Sequence, residues 1–147
     1  MKKITSILRL MARHHMMIER FLKEFEKNIG KNFALMQDSL DRFKWEEEKH
    51  IFNEEKVAFK LYGKEDPEIL KVVMRLIEEH DAILEMLNTI ENDLAIKDRV
   101  DISDLVNLLD RHRALEEKIL YPKLDEFLSK TQKKLIIERI REIPPGK

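Results

Sequence analysis

Cysteine is absent from the chain, which excludes disulfides, iron–sulfur clusters and thiol chemistry. Any metal must be held by imidazole and carboxylate. Glycine (3) and proline (4) are scarce among 147 residues. Few breakers, with abundant Leu, Ile, Glu and Lys, point to helix rather than sheet. An excess of one charge is also missing. Charged residues make up 39%, yet the formal net charge is -1, whereas a nucleic-acid binder would normally carry a basic surplus. No apolar run approaches a membrane span. The apolar start around Ile4, Ile7 and Leu8 meets Arg9 and Arg13 too soon for a signal peptide. The expectation is a cytoplasmic protein without nucleic-acid or membrane partners. What is present is 43% hydrophobic residues, enough for one core in a single domain over 1–147.

The breakers that do occur divide the chain cleanly. Gly30 and Gly63 follow periodic apolar segments and read as helix C-caps. Asp66-Pro67 reads as an N-cap with proline at the first helical position. Lys97-Asp98-Arg99 separates two further periodic segments, Asp101 is placed to cap the next, and Ser129 to Gln132 has capping-box spacing. The spacing predicts helices near 4–29, 32–62, 67–95, 102–127 and 130–141. Short connections make neighbours antiparallel. The expected fold is all-α: an up-down-up-down four-helix bundle (core about 4–128) with a short C-terminal fifth helix.

Each long segment carries an apolar stripe at steps of three and four, and each stripe is interrupted by a histidine. The first runs Ile4, Leu8, Met11, His15, Ile18, Leu22, Phe25, Ile29. The second runs Phe33, Met36, Leu40, Phe43, Glu47, His50, Glu54, Val57, Leu61. The third runs Ile69, Val73, Leu76, His80, Ile83, Leu87, Ile90, Leu94. In the fourth, Leu105, Leu108, His112, Glu116 and Ile119 share a face. Four of the 5 histidines therefore face the expected core. The fifth, His14, lies about 100° around the helix from His15 and is expected to face away. Counted from the turns at about 1.5 Å per residue, all four seam imidazoles fall at one level of an up-down bundle.

His50 and His112 each have a glutamate four residues on, Glu54 and Glu116. That spacing puts both side chains on one face, one turn apart. Two carboxylates from different helices can bridge two ions about 3.5–4 Å apart. In the doublets Glu54-Glu55 and Glu116-Glu117, the second residue turns about 140° from its histidine, so the first is the expected ligand. Glu47, three before His50, is a further candidate as ligand, as acceptor for an imidazole N–H, or as a solvated edge residue. A lone histidine on an apolar face is usually a hydrogen-bonded core residue. Four in one layer with two or three carboxylates would cost several kcal/mol, of order, per unpaired buried charge, and a metal removes that cost. The competing reading is a metal-free, pH-sensitive salt-bridge layer. Imidazole suits zinc, copper and iron alike, while bridging carboxylates favour a harder ion.

The constellation resembles the hemerythrin-like, or HHE cation-binding, family from about residue 10 to about 128. The similar stretches are His15-Met16-Met17-Ile18, His50-Ile51-Phe52-Asn53-Glu54-Glu55, Glu79-His80-Asp81-Ala82-Ile83, and His112 to Pro122, with its unusual helical Leu120-Tyr121-Pro122. The resemblance implies two non-haem iron ions joined by a solvent-derived oxo or hydroxo bridge. His15 and His50 would serve one ion and His80 and His112 the other, with Glu54 and Glu116 bridging. Oxygen-carrying members place a second histidine four before the one in helix three. Here that position is Leu76, which argues against simple reversible carriage. Relatives with the reduced set are associated with sensing, nitric oxide chemistry, iron handling or iron–sulfur repair, the last usually with cysteines that this chain lacks.

The expectation is thus a module that binds or senses oxygen or a related diatomic such as nitric oxide, as a monomer or homodimer. It would work with a separate protein partner or electron donor. The alternatives are a di-iron enzyme reducing oxygen, peroxide or nitric oxide, an iron-handling or repair protein, and a metal-free structural bundle. Binding is favoured over catalysis because no substrate pocket or cofactor motif is recognisable. The remaining features take simpler readings. Met11, Met36 and Met74 fill the core, Trp45 covers a helix flank, and Tyr121 packs near the end of helix four. Glu46-Glu47-Glu48 and Lys133-Lys134 are solvated faces. Leu135, Ile136 and Ile140 pack the fifth helix across the bundle.

Overall fold

The computed structural model describes residues 6–62, 66–96 and 100–142. Gly63 and Lys97-Asp98-Arg99, read above as breakers, lie outside those residues, as does Ile4. The described residues are all-α, with no strand among them. The elements are α1 (Ile7–Asn28), α2 (Phe33–Asn53), a π-helical turn (Glu54–Ala58), α3 (Phe59–Tyr62), α4 (Pro67–Leu94), α5 (Ser103–Leu115), a second π-helical turn (Glu116–Leu120), α6 (Tyr121–Phe127) and α7 (Lys130–Glu142). The second long helix is α2 continued through its π-turn into α3, and the fourth is α5 continued likewise into α6.

Local chemistry sets the ends. Ser6 caps α1 by accepting from the Arg9 N–H, and Gly30 takes φ 88 after it, a left-handed conformation that only glycine adopts without strain. Asn32 and Asp66 cap α2 and α4, with Pro67 in the first turn of α4. Asp101 accepts from the Ser103 N–H, and Ser129 and Gln132 exchange the reciprocal bonds of a capping box. The start of α1 has a second cap from far away in sequence. Asp125 on α6 accepts from the N–H groups of Ile7 (2.7 Å) and Leu8 (3.1 Å) and from the Ser6 hydroxyl (2.9 Å).

The apolar stripes build two separate clusters. One joins Ile18, Leu22 and Phe25 of α1 with Met36, Leu40 and Phe43 of α2, Ile83 to Leu94 of α4, and Leu105 and Leu108 of α5. The other joins Ile7 and Met11 with Ala58, Ile69 to Leu76, Leu120 to Leu128, and Ile136 and Ile137 of α7. The helices α1 and α4 end in the first cluster, where α2 and α5 begin. Each long helix passes from one cluster to the other through its histidine, so the four histidines occupy a polar layer between two apolar ones.

The π-turns correct the stripe predicted for the fourth helix. Ile119 is 42% exposed, while Leu120 and Tyr121 are fully buried. The widened turn from Glu116 to Leu120 adds a residue to one turn and rotates everything after it. Proline clashes with the carbonyl four residues before it, here Lys118, which lies inside that widened turn, so Pro122 is tolerated. In the second helix Ala58 takes the deeply buried place and Val57 is only half-buried. Three other expectations also fail. Met74 is 58% exposed, one position from the buried Val73, Phe33 at the start of α2 is 53% exposed, and Leu135 on α7 is exposed beside the buried Ile136. As expected, Trp45 is a partly exposed flank residue, and Ile136 anchors α7 to the core.

Candidate metal centre

His15, His50, His80, His112, Glu54 and Glu116 are all buried and converge in the polar layer. Glu54, His80, His112 and Glu116 offer ligand atoms within 4.8 Å of one another, as do His15, His50 and Glu116. Both carboxylates span the pairs. Glu54 Oε1 lies 3.1 Å from the Nε2 atoms of both His50 and His80. Glu116 Oε1 lies 3.1 Å from His15 Nε2 and 3.3 Å from His112 Nε2. Glu47 is buried nearby but joins neither group.

The outward Nδ1 atoms have partners that sequence reasoning did not assign. His15 Nδ1 is 2.7 Å from Glu117, His80 Nδ1 2.6 Å from Glu55, and His112 Nδ1 2.8 Å from Glu79. His50 Nδ1 is 3.1 Å from Nδ1 of His14, whose Nε2 lies 3.3 Å from Glu46. His14 is therefore not outward-facing, and Glu46 and Glu47 are buried rather than solvated. The close α1–α2 packing explains this, because it buries the flanks of both helices as well as their seams. Each long helix thus supplies the acceptor for the next one's histidine, and the fourth serves the first. The second glutamate of each doublet fills this role because its turn away from its own histidine aims it at the neighbouring helix.

An ionised carboxylate only accepts hydrogen bonds, so Nδ1 of His15, His80 and His112 carries the proton. Glu46 Oε2 also lies 2.8 Å from Lys49 Nζ, and with that carboxylate accepting, His14 meets it through Nε2–H and its Nδ1 accepts from His50 Nδ1–H. All four Nε2 atoms then face the centre. His15 Nε2 and His50 Nε2 stand 3.0 Å apart, a separation that requires a proton or a cation near them. The buried Nε2 of His112 and Oε2 of Glu116 have no hydrogen-bond partner. Orphaned donor atoms at the focus of such a set fit a metal whose ligands are completed there.

Electrostatics divide the layer. Burial, then the nearby His50, pushes His15 down to about 4, and burial pushes His112 down to about 4. Burial and His50 push His14 down to about 3. Burial also opposes charge on His50 and His80, but Glu54 outweighs it and raises both. Glu54 in turn is held well below the usual carboxylate range, against its burial, by His50 and His80. In the metal-free protein, protons on these two histidines neutralise a carboxylate that a cation could serve instead. Burial raises the Glu47 carboxyl. Tyr121 is fully buried in the layer, where its hydroxyl donates to Glu54 Oε2 at 2.9 Å and lies 3.3 Å from Nε2 of both His15 and His50.

A cavity of about 40 Å³ borders His15 and His112, one from each pair, with Ile18, Leu22, Leu109 and Glu47 on its wall. Residues 6–124 match the family model described as Hemerythrin HHE cation binding domain. No curated protein and no solved structure gives a significant match.

Proposed function

The chain belongs to the hemerythrin HHE cation-binding family, and from that premise we propose that it is a single-domain non-haem di-iron protein that binds or senses oxygen or a related diatomic such as nitric oxide. The observation that carries this reading is the convergence of four Nε2 atoms on two carboxylates, each of which touches histidines from both pairs. His15 and His50 would hold one ion, and His80 and His112 the other. Glu54 and Glu116 would be shared, and Glu47 is left as a wall residue of the cavity. When bound, the iron pair supplies electrons and open coordination positions for a small ligand.

The protein's own contribution is to orient and to exclude. The Nδ1 partners fix each imidazole in the tautomer that presents Nε2 inward. The two apolar clusters shut bulk water out on either side of the layer. Tyr121 holds Glu54 by its second oxygen. The cavity beside His15 and His112 has room for a diatomic or a water or two, and is far below the roughly 300 Å³ of a typical organic-ligand pocket. That size favours a diatomic over a larger substrate. No helix of the described residues is long and apolar enough to cross a membrane.

The test is anaerobic reconstitution with ferrous iron, oxygen exposure, and visible spectra through a deoxygenation cycle. A charge-transfer band that appears with oxygen and reverses on its removal supports binding or sensing. Irreversible bleaching with product formation supports the enzymatic alternative, and no band at all counts against both.

A further inference from the structure

The ring of outward partners is nearly two-fold symmetric in sequence as well as in space. His15 follows His14 by one residue, as His80 follows Glu79. His50 precedes Glu55 by the same interval that His112 precedes Glu117. Glu79, Glu55 and Glu117 each accept directly from a histidine Nδ1–H, at 2.8, 2.6 and 2.7 Å. At the fourth place the pattern breaks. The residue that meets His50 Nδ1, at 3.1 Å, is another imidazole, His14. The carboxylate has retreated one step to Glu46, 3.3 Å beyond His14 and tied to Lys49 at 2.8 Å.

A carboxylate directly on Nδ1–H draws the proton toward itself and makes the opposite Nε2 a stronger donor. A neutral imidazole accepts the same hydrogen bond without a full negative charge, and here Lys49 also neutralises the charge behind it. We infer that His14 is a positioning residue that makes the two halves of the centre unequal. It orients His50 while leaving it the weakest donor of the four histidines, so the His15/His50 half holds its metal less tightly than the His80/His112 half. The inference rests on the metal-centre reading above and goes beyond it, because the ligand atoms alone say nothing of the groups that stand behind each histidine. The outward partners differ between the halves: two direct carboxylates serve His80 and His112, whereas the other half has one direct carboxylate and one relayed through His14.

The test uses the full-length metal-free protein and cobalt(II), titrated anaerobically against a competing chelator and followed by the visible bands of the bound ion. The wild type is expected to take up two ions in resolved steps. His14→Leu, which keeps the site filled but accepts no hydrogen bond, should weaken only the second, weaker step, by about 10–100-fold, the usual effect of losing an outer partner. His14→Asn places an amide oxygen where Nδ1 lies and should restore that step to within a few-fold of wild type. Glu79→Gln is the mirror control and should weaken the first step instead. Circular dichroism checks that each variant is folded, and the asparagine variant keeps the test decisive if the leucine variant is not. Equal affinities at both halves of the wild type, or loss of both steps together in the His14 variants, would overturn the inference while leaving the metal centre intact. Failure of the wild type to take up cobalt(II) would overturn both.

Discussion

Acidification of the metal-free protein probes the polar layer without any metal. Three histidines enter the fold against their charge: His14 is pushed down to about 3 and His15 and His112 to about 4. In the unfolded chain each titrates near the ordinary 6.5. Between those limits the unfolded state binds more protons, so stability rises with pH there and falls as pH drops from about 6.5 toward 4. His50 and His80 are raised, so below pH 6.5 they are charged in both states and contribute no slope. Their stabilisation is present there and is lost only as pH rises through their folded values. Glu47 is raised and opposes the trend by up to one proton. The excess is then about two to three protons, or about 3–4 kcal/mol per pH unit near pH 5. Urea unfolding at intervals from pH 7 to 4.5 measures it directly. A midpoint that falls steeply below pH 6 is expected. A flat or rising midpoint would show that these imidazoles are not buried as neutral groups.

Other substitutions test individual contacts. Asp125→Ala removes three hydrogen bonds to the start of α1 and should cost about 1.5–3 kcal/mol in urea denaturation. Asn53 is buried with neither amide atom partnered, so Asn53→Leu, close to it in shape, should stabilise by about 1–3 kcal/mol at unchanged denaturant slope. Tyr121→Phe deletes the hydroxyl that holds Glu54, and a loss of about 1.5–3 kcal/mol in the metal-free protein is expected from thermal melts.

The helices were legible wherever 3.6-residue periodicity ran unbroken. In α4 every predicted seam residue from Ile69 to Leu94 is buried. The period failed where the backbone left it: the two π-turns begin at Glu54 and Glu116, and the first register shift hid Ala58 behind Val57 as the second hid Leu120 and Tyr121 behind Ile119. No residue type marks such a turn, though Pro122 four residues beyond Lys118 was a usable sign. The six central donors were legible because each lies on a seam. Their outer partners were not, because a helical wheel assigns one inward face, whereas α1 and α2 are buried on their flanks as well. His14 and Glu46 lie on those flanks. The doublets Glu54-Glu55 and Glu116-Glu117 did carry a signal. A second carboxylate beside a first makes sense when a neighbouring helix presents an Nδ1–H, and His80 and His15 do.

The central claim is that six side chains from four helices share two cations. It is tested most directly by counting metal in anaerobically iron-loaded protein after gel filtration, for the wild type and for Glu116→Ala. Glu116 touches histidines from both pairs, so the wild type should retain about two ions per chain and the variant far fewer. A wild type that retains well under one ion, or a variant that retains as many as the wild type, would contradict it.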